Sequence, residues 1–398
     1  MPVLMNRPVF EQVLKENQLD GYVATTAESV TWLSGYWAMP QWIRRGPQAY
    51  AFQPLKGDAE SFIVTGTGLL DHAAEQELYI SAIHRYGFFS YESFEEGVGP
   101  EARLLRKMLQ APQHDGPAEA LAAALKQSGM KGARVGIEVD GLAPGILERV
   151  RELVPGVELV RADGIAKKFR ATKTPEEIAR LRESGQIAER SIMAALDGVQ
   201  EGESEADLAR RFHTQTVRDG AFPVLGCIGF GERGALPNVD PSPSRKLKRG
   251  DTIRFDVGGR YRHYRADIAR IAVFGEPTAR AQQCHSAVQA GIERAYEVIR
   301  PGITGAMLFK EVMDAVRKSG LPHYKRNHVG HGIGLDGYEV PALTENSTDV
   351  LQPGMVMCIE TPYYELGFGG FQVEDMVTVT ETGVESFMTL PRDLIRCG

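Results

Sequence analysis

Asp256 stands in the run TIRFDV and Asp267 in DIARIAVF, Glu360 in MVMCIE and Glu374 in FQVED, with His331 in the glycine-rich VGHGIG between the two pairs. A carboxylate inside an apolar, β-rich run is costly unless a cation meets it. Four carboxylates and one imidazole form a ligand set for two divalent cations, and a bridging carboxylate is the usual device for holding such ions about 3.5–4 Å apart. The oxygen-rich donors suit manganese first, with cobalt, zinc or iron as other occupants.

Positioning them is a task for strands. Asp256 and Asp267 lie in two strand-like runs with Gly258-Gly259 between them, which predicts an antiparallel hairpin that brings both carboxylates to one spot. Glu360 and Glu374 repeat the device across Gly367, Gly369 and Gly370. Cys358 precedes Glu360 by two residues, so alternation puts both on one face, and it reads as a core residue beside the site. Thr174-Pro175-Glu176-Glu177 carries the start signal of a long helix: a Thr cap, Pro at the first helical position and Glu closing a capping box. Further helices are expected over 204–218, 278–299 and 304–319, backing the strands. The first part of the chain reads as βα alternation, an α/β layer of its own.

A chain of 398 residues is long enough for two domains, and the boundary drawn in the 163–173 stretch gives domains of 1–165 and 166–398. A net charge of -7 leaves no basic surface for nucleic acid. No apolar run approaches a membrane span and no apolar leader opens the chain, so a cytoplasmic location is expected. Four scattered cysteines fit reduced thiols rather than a disulfide framework.

The order Asp, Asp, His, Glu, Glu, set in Phe255-Asp256-Val257-Gly258, Ala266-Asp267-Ile268, Gly330-His331-Gly332-Ile333-Gly334-Leu335, Ile359-Glu360 and Val373-Glu374-Asp375, resembles the pita-bread metallohydrolases: prolidase, aminopeptidase P, methionine aminopeptidase and the metal-free creatinase. The resemblance covers nearly the whole chain. It implies an α+β fold, a pita-bread catalytic domain preceded by a creatinase-like α/β N-terminal domain, and a homodimer. It also implies hydrolysis of an amide-type C–N bond in a short peptide or small molecule, with Glu360 taking the proton of the attacking water. In such dimers an N-terminal loop reaches over the neighbour's site, which makes Arg44 and Arg45, in the aromatic and basic loop after Gly35-Tyr36-Trp37, candidates to hold a substrate carboxylate.

The resemblance has gaps. Where the peptidases carry two histidines beside the metals, this chain has Asn238 and Tyr338, and Ala269 stands where they usually have Thr. Asn cannot shuttle a proton at neutral pH, and a phenol donates to an oxyanion but is a poor base. A histidine in that role is worth roughly 10²–10⁴-fold in rate. Tyr338 and His328 are therefore the expected oxyanion stabilisers, and Asn238 and Glu339 join the arginines as expected substrate contacts. An Xaa-Pro dipeptidase or aminopeptidase is the first functional reading. A creatinase- or ectoine-hydrolase-like small-molecule hydrolase, or a lyase on a small carboxylate, is the second, and a non-catalytic pita-bread binding protein the last.

Overall fold

The structure, a computed structural model, describes residues 3–43, 46–57, 59–92 and 98–398. The chain forms two compact units, Met1–Arg170 and Ala171–Gly398. Arg44 and Arg45 lie outside the described residues.

The first unit is α/β as expected. Seven strands order as Gln113–His114, Ala82–Tyr86, Phe62–Gly66, Tyr50–Pro54, Gly21–Ala24, Arg134–Ile137 and Glu158–Arg161. The helix Pro117–Gln127 lays Ala120, Leu121, Ala124 and Leu125 against Phe62, Val64 and Val135 of that sheet. Ala27–Ser34 is a short helix. Its first turn is capped: Thr26 accepts from the Ser29 N–H, and the buried Glu138 carboxylate accepts from Thr25 N, Thr26 N and Ser29 Oγ. A buried acid satisfies the free donors of the first turn.

The second unit carries the site. One path of its ten-stranded sheet runs Thr252–Tyr261, Ile268–Phe274, Glu374–Val379, Val356–Glu360, His328–Gly332 and Glu339–Thr344. The helices Ala279–Val298 and Gly305–Lys318 pack together and bury Val288, Ile292, Leu308 and Val312 in one cluster with Met357, Ile359, Val373 and Val377. Alternation along a strand then fixes the rest: with Met357 and Ile359 turned to the helices, Cys358 and Glu360 face the other way, as do Glu374 and Met376 when Val373 and Val377 face the core.

The hairpin of the two aspartates is present, and its turn falls in 261–265. Gly258 and Gly259 continue the strand to Tyr261, and the chain reverses at Arg262 and His263, both at positive φ (45° and 78°). Gly258 is needed for close approach: a Cβ there would stand 1.8 Å from the Ala266 carbonyl oxygen.

The helix Pro175–Leu196 begins on the expected capping box, with Glu177 accepting from Thr174 N and Thr174 from Glu177 N. Glu177 is fully buried and accepts from the Tyr264 hydroxyl at 2.9 Å. Burial pushes its carboxyl up to about 7, against the pull of the Thr174 N–H, Lys173 and Tyr264. An acid whose pKa is higher in the folded chain contributes stability at low pH and loses it as pH rises through the folded value. Between about pH 4.5 and 7.5 this group alone should cost on the order of 3 kcal/mol. Urea unfolding across that range should show the advantage of Glu177→Gln over wild type growing with pH, and a pH-independent difference would mean that Glu177 is charged in the fold at pH 5.

Candidate metal centre

The register of the sheet places the acids in a row. Asp256 lies opposite Ala269, Ala269 opposite Glu374, and Glu374 opposite Glu360, so four adjacent strands present these residues side by side on one face. Asp267 precedes Ala269 by two residues, and His331 lies opposite Cys358, two before Glu360, so alternation turns both to the same face. The methyl of Ala269, between two carboxylates, leaves the space a larger side chain would take.

Ligand atoms of Asp256, Asp267 and Glu374 all lie within 4.8 Å of one another, and so do those of His331, Cys358 and Glu374. Asp267 Oδ1 and Glu374 Oε1 are buried with no hydrogen-bond partner. Burial, then the charge of neighbouring carboxylates, pushes the Asp267 and Glu374 carboxyls well above the usual range. Asp256 is raised by burial and by Glu360, with Arg254 opposing. Burial also raises Glu360, but His328, His331 and Arg326 outweigh it and hold that carboxyl low.

His331 has the form a metal needs. Its Nδ1 stands 3.0 Å from the Gly332 carbonyl oxygen, an acceptor only, so Nδ1 carries the proton and Nε2 keeps its lone pair. That Nε2 faces Asp267 Oδ2 at 3.9 Å. Burial depresses the ring's pKa, which keeps it neutral. A neutral imidazole lone pair, two orphaned carboxylate oxygens and crowded negative charge fit divalent cations. The Cys358 thiol is pushed well above its ordinary pKa by burial and then by Glu374, and it points to the Asp267 carbonyl at 3.5 Å, which keeps it a protonated core group.

Of the other expected residues, Tyr338 and His328 come to the site. The Tyr338 ring stacks on His331, centroids 4.0 Å apart at 25°, with its residue 57% exposed. Burial and the four acids raise its phenol, so it stays a donor. His328 Nδ1 stands 3.0 Å from Glu360 Oε1 without the alignment of a hydrogen bond, an electrostatic contact. Asn238 is exposed, one residue past Pro237, whose carbonyl accepts from Arg254 at 2.8 Å.

Glu339 is a correction. Its side chain is wholly buried in an ion pair with Lys173 at 2.9 Å, and it also accepts from the Asp336 N–H, so it meets no substrate. Facing away from Tyr338 along the strand, it fastens the histidine loop to the interior of the unit.

Sequence reasoning missed the residues that hold the acids. Arg254 Nη1 donates to Asp256 Oδ2 and to Gln372 Oε1, each at 2.9 Å, while Gln372 Nε2 donates to Glu374 Oε2 at 3.0 Å. Each stands two residues before its acid, so the same alternation could have found them. Behind the row, Arg270 donates to the Glu374 carbonyl and pairs with Asp375 at 2.8 Å, itself bound by Arg392 and Tyr296.

Residues 179–381 match Metallopeptidase family M24, and residues 9–172 match the Creatinase/Prolidase N-terminal domain. The Xaa-Pro dipeptidase of Pyrococcus furiosus is 32% identical over 258 residues, 64% of this chain and 73% of that protein. Among solved structures, an Xaa-Pro dipeptidase from Bacillus anthracis superimposes with a TM-score of 0.80 at 25% identity, covering 98% of both chains. The prolidase from Pyrococcus horikoshii OT3 does so at 0.76 and 23% identity, over 98% of this chain and 99% of that one.

Replacing one crowded acid separates metal binding from apo stability. Asp267→Asn is expected to lower the metal retained after dialysis, measured by mass spectrometry, and to leave the metal-free protein with a melting temperature equal to or above wild type at pH 7. Unchanged metal content would remove Asp267 from the ligand set.

Proposed function

The chain belongs to metallopeptidase family M24 and is a metal-dependent hydrolase of the pita-bread fold, and we propose that within this family it cleaves Xaa-Pro dipeptides. The observation that carries the proposal is the row of Asp256, Glu374 and Glu360 across the sheet, with Asp267 and His331 beside it and two carboxylate oxygens unpartnered. A relative 32% identical over 64% of this chain and a solved structure covering 98% of it are both named Xaa-Pro dipeptidase.

In this reading Asp256, Asp267, His331, Glu360 and Glu374 would hold two divalent cations. Such cations supply Lewis acidity toward the carbonyl and a lowered pKa for water. Glu360 is the acid held lowest among the four, so it is ionised and able to take the proton from water; His328 beside it can pass that proton onward. Tyr338, a protonated phenol stacked on His331 and open to solvent, donates to the oxyanion. Asn238, held by its neighbour's bond to Arg254, contacts the substrate, and by resemblance Arg44 and Arg45, outside the described residues, serve a neighbouring subunit's site. The oxygen-dominated donors favour manganese, the four free cysteines favour the cytoplasm, and the assembly by resemblance is a homodimer. Among the described residues no helix is long and apolar enough to cross a membrane.

Tyr338 supports one alternative, a small-molecule C–N hydrolase of the creatinase or ectoine-hydrolase kind, because by resemblance it stands where the family's peptidases carry a histidine. Purified protein loaded with manganese, cobalt or zinc should release proline from a panel of Xaa-Pro dipeptides at about 1–10³ s⁻¹. No proline from protein carrying two metals per chain would overturn the peptidase assignment in favour of this alternative. On the best substrate, Tyr338→Phe is expected to lower kcat about 10²-fold or more with little change in KM, whereas an unchanged kcat would take Tyr338 out of oxyanion binding.

A further inference from the structure

Tyr338 is largely exposed, so its place over the His331 ring depends more on the backbone that carries it than on packing around the phenol. That backbone leaves the sheet after Gly332 and rejoins it at Glu339, and the residues between, 333–338, are irregular. A segment without a strand partner must have its polar groups held by something else. Two arms hold it. From the aspartate hairpin, Arg265 N donates to the Gly334 carbonyl at 2.9 Å and Arg265 Nε to the Leu335 carbonyl at 3.2 Å. From the other end, Glu339 Oε1 accepts from Asp336 N at 3.3 Å. The Glu339 carboxylate is packed directly against the segment, since a Cβ on Gly334 would stand 2.5 Å from Glu339 Oε2.

Both arms are anchored at the start of the helix Pro175–Leu196. Lys173 Nζ meets Glu339 Oε2 at 2.9 Å, with both side chains fully buried, and the Lys173 N–H donates to the Gly354 carbonyl at 2.9 Å. One residue on, Thr174 forms the capping box with Glu177, and Glu177 accepts from the hydroxyl of Tyr264, the neighbour of Arg265. The contacts close a circuit from Lys173 through Thr174, Glu177, Tyr264, Arg265 and the 333–338 segment to Glu339 and back. None of its side chains belongs to the candidate ligand set. Desolvation offsets most of what a buried ion pair gains, and an apolar pair of similar volume would fill the space as well or better. What charge-assisted hydrogen bonds add is direction, a single geometry for the groups they join.

We propose that Lys173 and Glu339 are positioning residues for Tyr338: acting through the 333–338 segment, the buried pair keeps the phenol over His331, and neither residue touches substrate. The inference rests on the oxyanion role given to Tyr338 above. Glu339 follows Tyr338 directly in the chain, about 3.8 Å away at Cα, so a shift of the anchored carboxylate is passed straight to the phenol. A misplacement of about 1 Å at a reacting group costs up to about 100-fold in rate, so the contribution of Tyr338 can be lost while the fold stays intact.

The test uses the full-length, manganese-loaded protein and its best Xaa-Pro substrate. Removing one partner alone strands a buried charge, so the main variant removes both: Lys173→Met with Glu339→Leu should keep the wild-type Tm and metal content, yet lower kcat about 10- to 100-fold with little change in KM. In a Tyr338→Phe background the same two substitutions should cost almost nothing further, because the group they position is gone. Glu339→Gln, which keeps an acceptor for Lys173 and for the Asp336 N–H, should lose less, and the same cycle run on it settles the question even where the double variant does not fold. Wild-type kcat in the stable double variant, or a full additional loss on top of Tyr338→Phe in either cycle, would overturn the proposal. If Tyr338→Phe leaves kcat unchanged, or wild type cleaves no Xaa-Pro substrate, the oxyanion reading fails instead, and fluorine NMR of fluorotyrosine-labelled protein decides the positioning by itself. The resonance that Tyr338→Phe removes should shift when the Lys173 and Glu339 charges are removed, and an unmoved resonance would overturn the proposal.

Discussion

Like-charge repulsion among four carboxylates on one sheet face is the constraint around which the catalytic unit is built. Asp256, Glu374 and Glu360 lie in one transverse row, with the strand of Ala269 between the first two and Asp267 one alternation step away on that strand. In a medium of low dielectric such a row is unfavourable by itself. The protein offsets only part of it: Arg254 reaches Asp256, and Gln372 hands a neutral donor to Glu374. The rest of the fold holds the backbone against the strain. Arg270 clasps the Glu374 carbonyl and the C-terminal carbonyls of Leu390 and Pro391, and Asp375 locks Arg270 in turn. A rigid frame with incomplete internal neutralisation is what a metal-dependent site requires, since full pairing within the protein would leave nothing for cations to do.

What could be read in advance follows the range of the signal. The five candidate ligands were legible because acids in apolar strands are costly and because their flanks resemble a known family. The helix at Pro175 was legible because a capping box is local chemistry. Gly258-Gly259 lie inside the first aspartate strand, where Gly258 serves close packing against Ala266, and the reversal falls on Arg262 and His263. Composition cannot distinguish a glycine needed for its φ from one needed for its missing Cβ. Glu339 was misread for a longer-range reason. Its partner Lys173 lies 166 residues away, and only the assembled unit shows that the two neutralise each other in the interior. Arg254 and Gln372 were within reach of alternation alone, but an arginine in a strand signals nothing until its acid is known to be buried beside it.

The exchanges at positions 238 and 338 bear on how protons move. The neutral His331 ring has its Nδ1 proton committed to a backbone carbonyl and its face covered by Tyr338, so it cannot carry a proton in turnover. Tyr338 donates but does not accept at neutral pH, and Asn238 does neither for a proton in transit. Glu360 and His328, 3.0 Å apart at the edge of the row, are then the groups through which a proton can leave water and reach a departing nitrogen.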